Sequence, residues 1–239
     1  MIRPIAEVSV IIPAYNAVRF IREAVDSALG QVGVTVEVIV IDNQSTDGTS
    51  NLVQETYGDS VQLVSEPKRG CAAARNAGLR VATGKYIALL DADDIWHPDK
   101  LRLQAVVLAS RGDEGLVFCY GREFLDPNLT DQEKLTCACR PDPYAYLAPS
   151  ALICSRATFD RVGEFPEVPI GEFISWYGWA KSLGLGTFIL PDVLIQRRAH
   201  LNNTSRDPKA LASYAWSIKG LLDRRRQAQK AQVASAESL

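Results

Sequence analysis

Histidine is scarce in this 239-residue chain, which has only two, and neither sign of charge is in surplus. With 26 Lys and Arg against 28 Asp and Glu, the formal net charge is -2. That balance excludes bulk attraction to nucleic acid or to an anionic membrane, so an anionic ligand must be held locally. Long apolar runs are also missing, and nothing approaches the roughly 18 uncharged apolar residues that a membrane helix needs. The opening "MIRPIAEVSVIIPAYN" has too short an apolar stretch before Pro13 for a signal sequence and lacks a small-residue cleavage site. The expectation is a cytoplasmic protein with no integral membrane segment and no nucleic-acid partner. An even cysteine count is absent too: Cys71, Cys119, Cys137, Cys139 and Cys154 fit reduced thiols better than a disulfide framework. Cys137-x-Cys139 could belong to a zinc site, but with so little histidine a loop bearing free thiols is expected.

What is present is ordinary for a soluble globular protein, 47% hydrophobic and 23% charged, and enough to build a sizeable core. Strand-like runs occur at residues 7–12, 36–42, 60–64, 85–91 and 116–120, several without polar alternation, as strands buried on both faces read. Between the first two, Phe20, Ile21, Ala24, Val25, Ala28 and Leu29 recur at helical spacing up to Gly30. "STDGTSNLVQETYG" and "GCAAARNAGLRVATG" supply two further helices, closed by Gly58 and Gly84. Alternating strands and helices to about residue 110 predict an α/β fold, a mostly parallel twisted sheet flanked by helices.

In such sheets ligands bind beyond the carboxyl ends of the strands. The "PAYN" turn, Asp42 and Asp91 all sit at strand ends, so one crevice receives polar groups from three strands. From about residue 121 to "LAPS" the chain is rich in turns and reads as an irregular excursion. A helix at "GEFISWYGWAKSLG", an extended "TFILPDVLIQRRAH" and a last helix with Leu211, Tyr214, Ala215, Ile218, Leu221 and Leu222 on one face follow. One continuous domain is expected, with halves at 1–110 and 111–205 and a C-terminal helix and tail at 206–239.

The stretch "YIALLDADDIW" ends an apolar run on Asp91, Asp93 and Asp94. In an extended segment Asp91 and Asp93 would share a face, and carboxylates packed together call for a counter-charge. A divalent cation suits them: Mg²⁺ or Mn²⁺ takes oxygen ligands from one or two carboxylates while substrate phosphates complete the shell. The plainer alternative is that these residues cap the helix that follows Pro98. Other phosphate devices fail: "GLRVATGKY" has one residue too many for a Walker A loop and Tyr86 where Ser or Thr should stand. No G-x-G-x-x-G follows the first strand either.

"VSVIIPAYNAVRFIREAVDSALGQ", "VIDNQSTDGT", "RGCAAARNAGLRVATGKYIALLDADDIWHPDKL" and "RRAHLNNTS", in that order, resemble glycosyltransferase family 2, the inverting enzymes of the GT-A fold with its Rossmann-like nucleotide-binding half. The likeness is specific over residues 8–104 and looser to about 205. It implies a nucleotide-sugar donor, most simply a UDP-sugar, with Mn²⁺ or Mg²⁺ on a DxD motif. By the same resemblance Pro13, Tyr15 and Asn16 line the base, Asp42 accepts a hydrogen bond from it, Asp91 faces the ribose and Asp93 binds the metal. Arg75 holds donor charge, and His200 approaches the diphosphate or joins Asp91 and Asp93 at the metal. Rival readings are open for three of these: Tyr15 as a turn aromatic, Arg75 as a surface helix residue, His200 as a loop histidine.

Two departures stand out. Phe173 replaces the Asp that usually serves as base, which leaves Glu172 as the nearest candidate, and Asn43-Gln44 replaces acidic or small residues beside the base pocket. A catalytically silent nucleotide-sugar or partner-binding module and a sugar nucleotidyltransferase are therefore the alternatives. No motif specifies the acceptor, be it saccharide, lipid-linked, peptide or small molecule. Trp176, Tyr177 and Trp179 fit core positions better than a stacking platform, and Arg224 to Arg226 fit a solvated face better than a membrane contact.

Overall fold

The computed structural model describes residues 7–168 and 170–203, with residues 219, 220, 222 and 226 beyond. The expected last helix at Leu211, Tyr214, Ala215, Ile218 and Leu221, the pair Arg224 and Arg225, and the tail lie outside the described residues.

The apolar runs form strands at the centre of one nine-stranded sheet. β1 (Val8–Ala14), β2 (Val36–Asp42), β3 (Gln62–Ser65) and β4 (Tyr86–Leu89) are mutually parallel in the order β3-β2-β1-β4. Val8, Val10, Ile11, Ile12, Ile39, Val40, Ile41, Ile87 and Leu89 have no exposed surface, which is why these strands lack polar alternation. Each such side chain contributes roughly 1.5–3 kcal/mol on burial. Pro13 fits in β1 although it has no N–H. The β4 register ends at Ile11 opposite Leu89, so beyond it β1 has a partner only on the β2 side.

Helices α1 (Ile21–Leu29), α2 (Thr49–Tyr57) and α3 (Cys71–Val81) carry the crossovers. α3 ends at Val81, short of the expected Gly84, and Gly84 has a packing role: a Cβ there would stand 2.6 Å from the backbone nitrogen of Ser9. Gly78 likewise lets α3 press on β1, since a Cβ would lie 2.4 Å from Ile11 Cγ2. That contact seats Arg75, one turn earlier, over the strand ends.

After β5 (Ile95–Trp96) and α4 (Lys100–Ser110), β6 runs Leu116–Leu125, five residues beyond the expected strand. The excursion expected to be irregular holds α5 (Asp131–Thr136), opened by a capping box of Thr130 and Glu133, and β7 (Tyr144–Tyr146) on β6. β8 (Ile153–Ser155) and α6 (Arg156–Val162) had no sequence signal that we read. α7 (Glu172–Ser182) and β9 (Thr187–Ala199) match the expected helix and extended run. The register between β6 and β9 shifts where Pro191 and Asp192 are skipped, which accommodates the proline.

β8 is antiparallel to both β4 and β6, and two reversals restore the direction. β6 and its parallel neighbour β9 therefore point the same way as β1 to β4. His200, which follows β9, thus arrives at the edge where Tyr15, Asp42 and Asp91 emerge.

The Asp91–Asp94 segment corrects one expectation. It is a turn, closed by Asp94 N–H donating to Asp91 C=O at 3.1 Å, so Asp91 and Asp93 do not share a face by strand alternation. Nor does Asp94 cap α4: Asp99 holds that position, and Asp94 is buried. All five cysteines are free thiols. Among the described residues no helix is long and apolar enough to cross a membrane.

Candidate active site

At the end of β1, Tyr15 leaves 49% of its surface exposed, and the Arg69 guanidinium lies 3.6 Å from its ring centroid. Asn16 adopts a left-handed backbone with φ of 48°. Its Oδ1 accepts from Thr46 N–H at 2.8 Å and its own N–H donates to Ser45 Oγ at 3.0 Å, tying the first turn to the second. Asp42 at the end of β2 is buried, and its Oδ1 accepts from Ser45 N–H at 3.3 Å.

Asn43 fastens the next loop. Its amide nitrogen donates to the carbonyls of Glu66 and Lys68, at 3.0 and 2.7 Å, and its Oδ1 accepts from Gly70 N–H at 2.8 Å. The loop thus held presents Arg69 to Tyr15. Asn43 therefore has an architectural task that composition at this position did not signal.

Arg75 is the hub of one group of side chains, and the surface-helix reading of it is excluded: only 4% of its side chain is exposed. One guanidinium nitrogen donates to Asp91 Oδ1 at 2.8 Å and the other to Glu172 Oε1. Burial works against its charge, yet the Asp91 and Glu172 carboxylates outweigh it and push its pKa above the ordinary arginine range. Burial raises the Asp91 carboxyl above the usual carboxylate range, with Arg75 opposing and Asp93 adding to the rise. Glu172 opens α7 directly after Gly171, whose φ of 91° suits glycine, and 12% of its side chain is exposed. Phe173 turns the other way, into the core, against Phe118, Trp176 and Tyr177. Trp176 is buried as expected, with its indole N–H donating to Gly163 C=O at 2.7 Å.

Asp93 faces the other strand end. Its Oδ2 lies 2.9 Å from His200 Nε2 and 3.1 Å from Asn203 Nδ2. Asn202 N–H lies 3.3 Å from His200 Nδ1; with the ring proton on Nε2 the ring donates to Asp93, and with it on Nδ1 the Nε2 lone pair faces the Asp93 side and is open to a cation. Phe20 lies beneath that ring at 4.7 Å between centroids.

Ser150, in the segment read as irregular, is fully buried and accepts from Asp91 N–H at 3.1 Å. Its hydroxyl also bonds the Asp94 carboxyl, which burial pushes well above the usual range, with Asp93 and Asp91 adding to it. Trp96 indole N–H donates to Ser150 C=O at 2.8 Å.

The predicted residues thus fall into two neighbouring groups, Arg75 with Asp91 and Glu172, and Asp93 with His200, beside the Tyr15 and Asp42 turns. Ser150 and Asn203 support them and escaped the sequence reading, while Asn43, read there only as a departure beside the base pocket, fastens the loop to Gly70. Among the described residues no three His, Cys, Asp or Glu side chains converge into a metal cluster. What the site offers is two protein donors, Asp93 oxygen and His200 nitrogen, a set that suits a divalent cation shared with ligand phosphates.

A family model described as glycosyl transferase family 2 matches residues 9–152, more than half of the chain. An uncharacterized glycosyltransferase of Rickettsia prowazekii is 28% identical over 211 residues, covering 83% of this chain and 65% of that protein. The chain thus spans slightly less than two thirds of that relative's length. S. aureus TarS 1-349, solved in complex with UDP-GlcNAc, superposes with a TM-score of 0.69 at 20% identity, over 90% of this chain and 65% of that one. A mannosyltransferase from Pyrobaculum calidifontis in complex with GDP-Man and Mn²⁺ gives 0.63 at 24% identity, over 99% and 77%. Likeness at these identities speaks for a common fold.

Proposed function

The chain belongs to glycosyl transferase family 2 and has the GT-A fold, and on that premise we propose that it moves a sugar from a nucleoside diphosphate, UDP in our reading, to an acceptor hydroxyl with inversion. One observation carries the proposal: the Arg75 bridge to Asp91 and Glu172 stands beside the Asp93–His200 pair, at strand ends that also deliver Tyr15 and Asp42. Tyr15 offers a half-exposed ring for base stacking once the Arg69 guanidinium over it moves aside, and Asp42 an acceptor for a base N–H. Relatives of the same fold that carry UDP-GlcNAc, or GDP-Man with Mn²⁺, support a nucleotide-sugar donor.

Asp93 and His200 would hold Mn²⁺ or Mg²⁺, with donor phosphates completing the shell. The ion's part is to offset charge on the departing diphosphate. Arg75 fixes Asp91 for the donor and adds positive charge on the same side. Glu172 is our candidate for the acceptor proton: Arg75 takes Oε1, which leaves Oε2 without a hydrogen bond among the described residues. As the acceptor oxygen bonds the anomeric carbon, the bond from that carbon to the diphosphate breaks, the diphosphate leaves with the electron pair, and the proton passes to Glu172.

A second reading, donor binding without transfer, draws on Phe173, which is buried in the core and cannot take a proton. Release of UDP from UDP-sugars, assayed with a panel of hydroxyl acceptors, separates the two. Transfer that falls roughly a hundredfold in Glu172→Gln with donor binding intact supports the enzyme. Donor binding with no turnover on any acceptor supports the silent module, and pyrophosphate release would point to nucleotidyl transfer instead.

A further inference from the structure

We propose that Asn203 is a positioning residue that sets the Asp93 carboxylate and the His200 ring against each other, and so governs divalent-cation affinity. The inference rests on the metal reading given above. Asn203 is buried one turn after β9, and its side chain spends its bonding capacity on this corner. Nδ2 donates to Asp93 Oδ2 at 3.1 Å and to Arg198 C=O at 3.2 Å, and Oδ1 accepts from His200 N–H at 2.7 Å. Asn203 N–H donates back to His200 C=O at 3.3 Å, closing the turn. The Asn203 side chain thus grips the backbone on both sides of Ala199, the end of β9, and the carboxylate that faces it.

Two consequences follow from where those bonds go. His200 and Asn203 both bond Oδ2, so the carboxylate of Asp93 is pinned through one oxygen while Oδ1 is left without a hydrogen bond among the described residues. And because Asn203 Oδ1 holds the backbone N–H of His200, the turn that carries the ring is fixed relative to Asp93, while Phe20 and the Nε2 contact with Asp93 orient the ring itself. Alanine at 203 removes both restraints at once. Losing a partner of this kind typically costs a metal site ten- to a hundredfold in affinity, since the ligands must then be ordered when the ion binds.

The test follows Mn²⁺ by the electron paramagnetic resonance signal of the free ion, titrated into protein saturated with UDP, and follows UDP affinity with and without Mn²⁺ by calorimetry. For Asn203→Ala the expectation is Mn²⁺ affinity lowered at least tenfold, with metal-free UDP affinity within about twofold of wild type. Thermal midpoints give the readout that a merely structural role would not move: the rise produced by adding Mn²⁺ to the UDP complex should shrink, whatever the variant does to the metal-free midpoint. Should the alanine variant not fold, Asn203→Gln, which keeps the amide at a changed reach, serves in its place and should show the same selective loss. Asp93→Ala is the reference. If it abolishes the Mn²⁺ effect while Asn203→Ala leaves Mn²⁺ affinity within threefold, the positioning role is refuted. If Asp93→Ala itself leaves Mn²⁺ affinity unchanged, the metal reading is at fault, and the inference that depends on it goes too.

Discussion

Replacing Arg75 by methionine removes a buried guanidinium and leaves two carboxylates, Asp91 and Glu172, facing each other without their counter-charge. Breaking a buried ion pair by deleting one partner costs about 3–5 kcal/mol, because the remaining charge stays desolvated. Two features of this site pull the value to the lower end. The Asp91 side chain is 30% exposed, so water can take up part of its charge, and Arg75 Nε is a buried donor with no partner, whose removal relieves an existing cost. The expected loss is therefore about 3 kcal/mol, which for a chain of this size lowers the thermal midpoint by roughly 6–12 °C. Urea denaturation at pH 7, followed by the fluorescence of buried tryptophans such as Trp176, measures it. A cycle with Glu172→Gln isolates the cause. In the wild-type background that change removes a good ion pair and destabilises; in the Arg75→Met background it removes an orphaned charge and should restore about 1 kcal/mol or more. A loss below about 1 kcal/mol for Arg75→Met, or Glu172→Gln effects equal in both backgrounds, would refute the hub role assigned to Arg75.

Two other expectations follow from the same structure. Lys100 is fully buried, its Nζ on Gln104 Oε1 at 2.9 Å and 3.9 Å from the Trp96 ring, and burial lowers its pKa to about 8 from 10.5, with Cys119 opposing. The unfolded chain then binds more protons between about pH 8 and 10.5, so stability rises with pH across that window, and the cost of burying the charge, on the order of 3 kcal/mol, is fully present below it. Lys100→Met should accordingly gain stability relative to wild type at pH 7 and lose that advantage by pH 10; an advantage constant over this range sinks the account. Tyr15 and Asp42 should favour a pyrimidine, with UDP bound more tightly than GDP or ADP in calorimetry, and since Arg69 now covers the Tyr15 ring it must move aside; equal affinity for the three nucleotides rejects that pocket.

Local pattern determined a good deal of this protein. Short apolar runs such as Val38–Ile41, bounded by turn signals, read as strands covered on both faces, and alternation with helices then points to a parallel sheet whose ligand crevice lies at the strand ends. For that reason the placement of Tyr15, Asp42 and Asp91 at strand ends was legible without knowing any contact. The supporting residues were not legible in the same way. Ser150 sits 59 residues from the Asp91 N–H it accepts, Asn203 lies 110 residues from Asp93, and Arg75 reaches Glu172 across 97. No periodicity records a hydrogen bond of such separation, because the side chain's partner is set by two reversals through β8 that bring β9 round to the edge occupied by β4. Tertiary structure also decided the conformation of Asp91–Asp94. An isolated segment following "YIALL" would continue extended, but Ser150 Oγ takes the Asp91 N–H, and Asp94 is buried where it accepts Arg198 N–H at 3.3 Å. The carboxylates are therefore displayed from a turn, each pointed by a partner that the chain supplies from its second half.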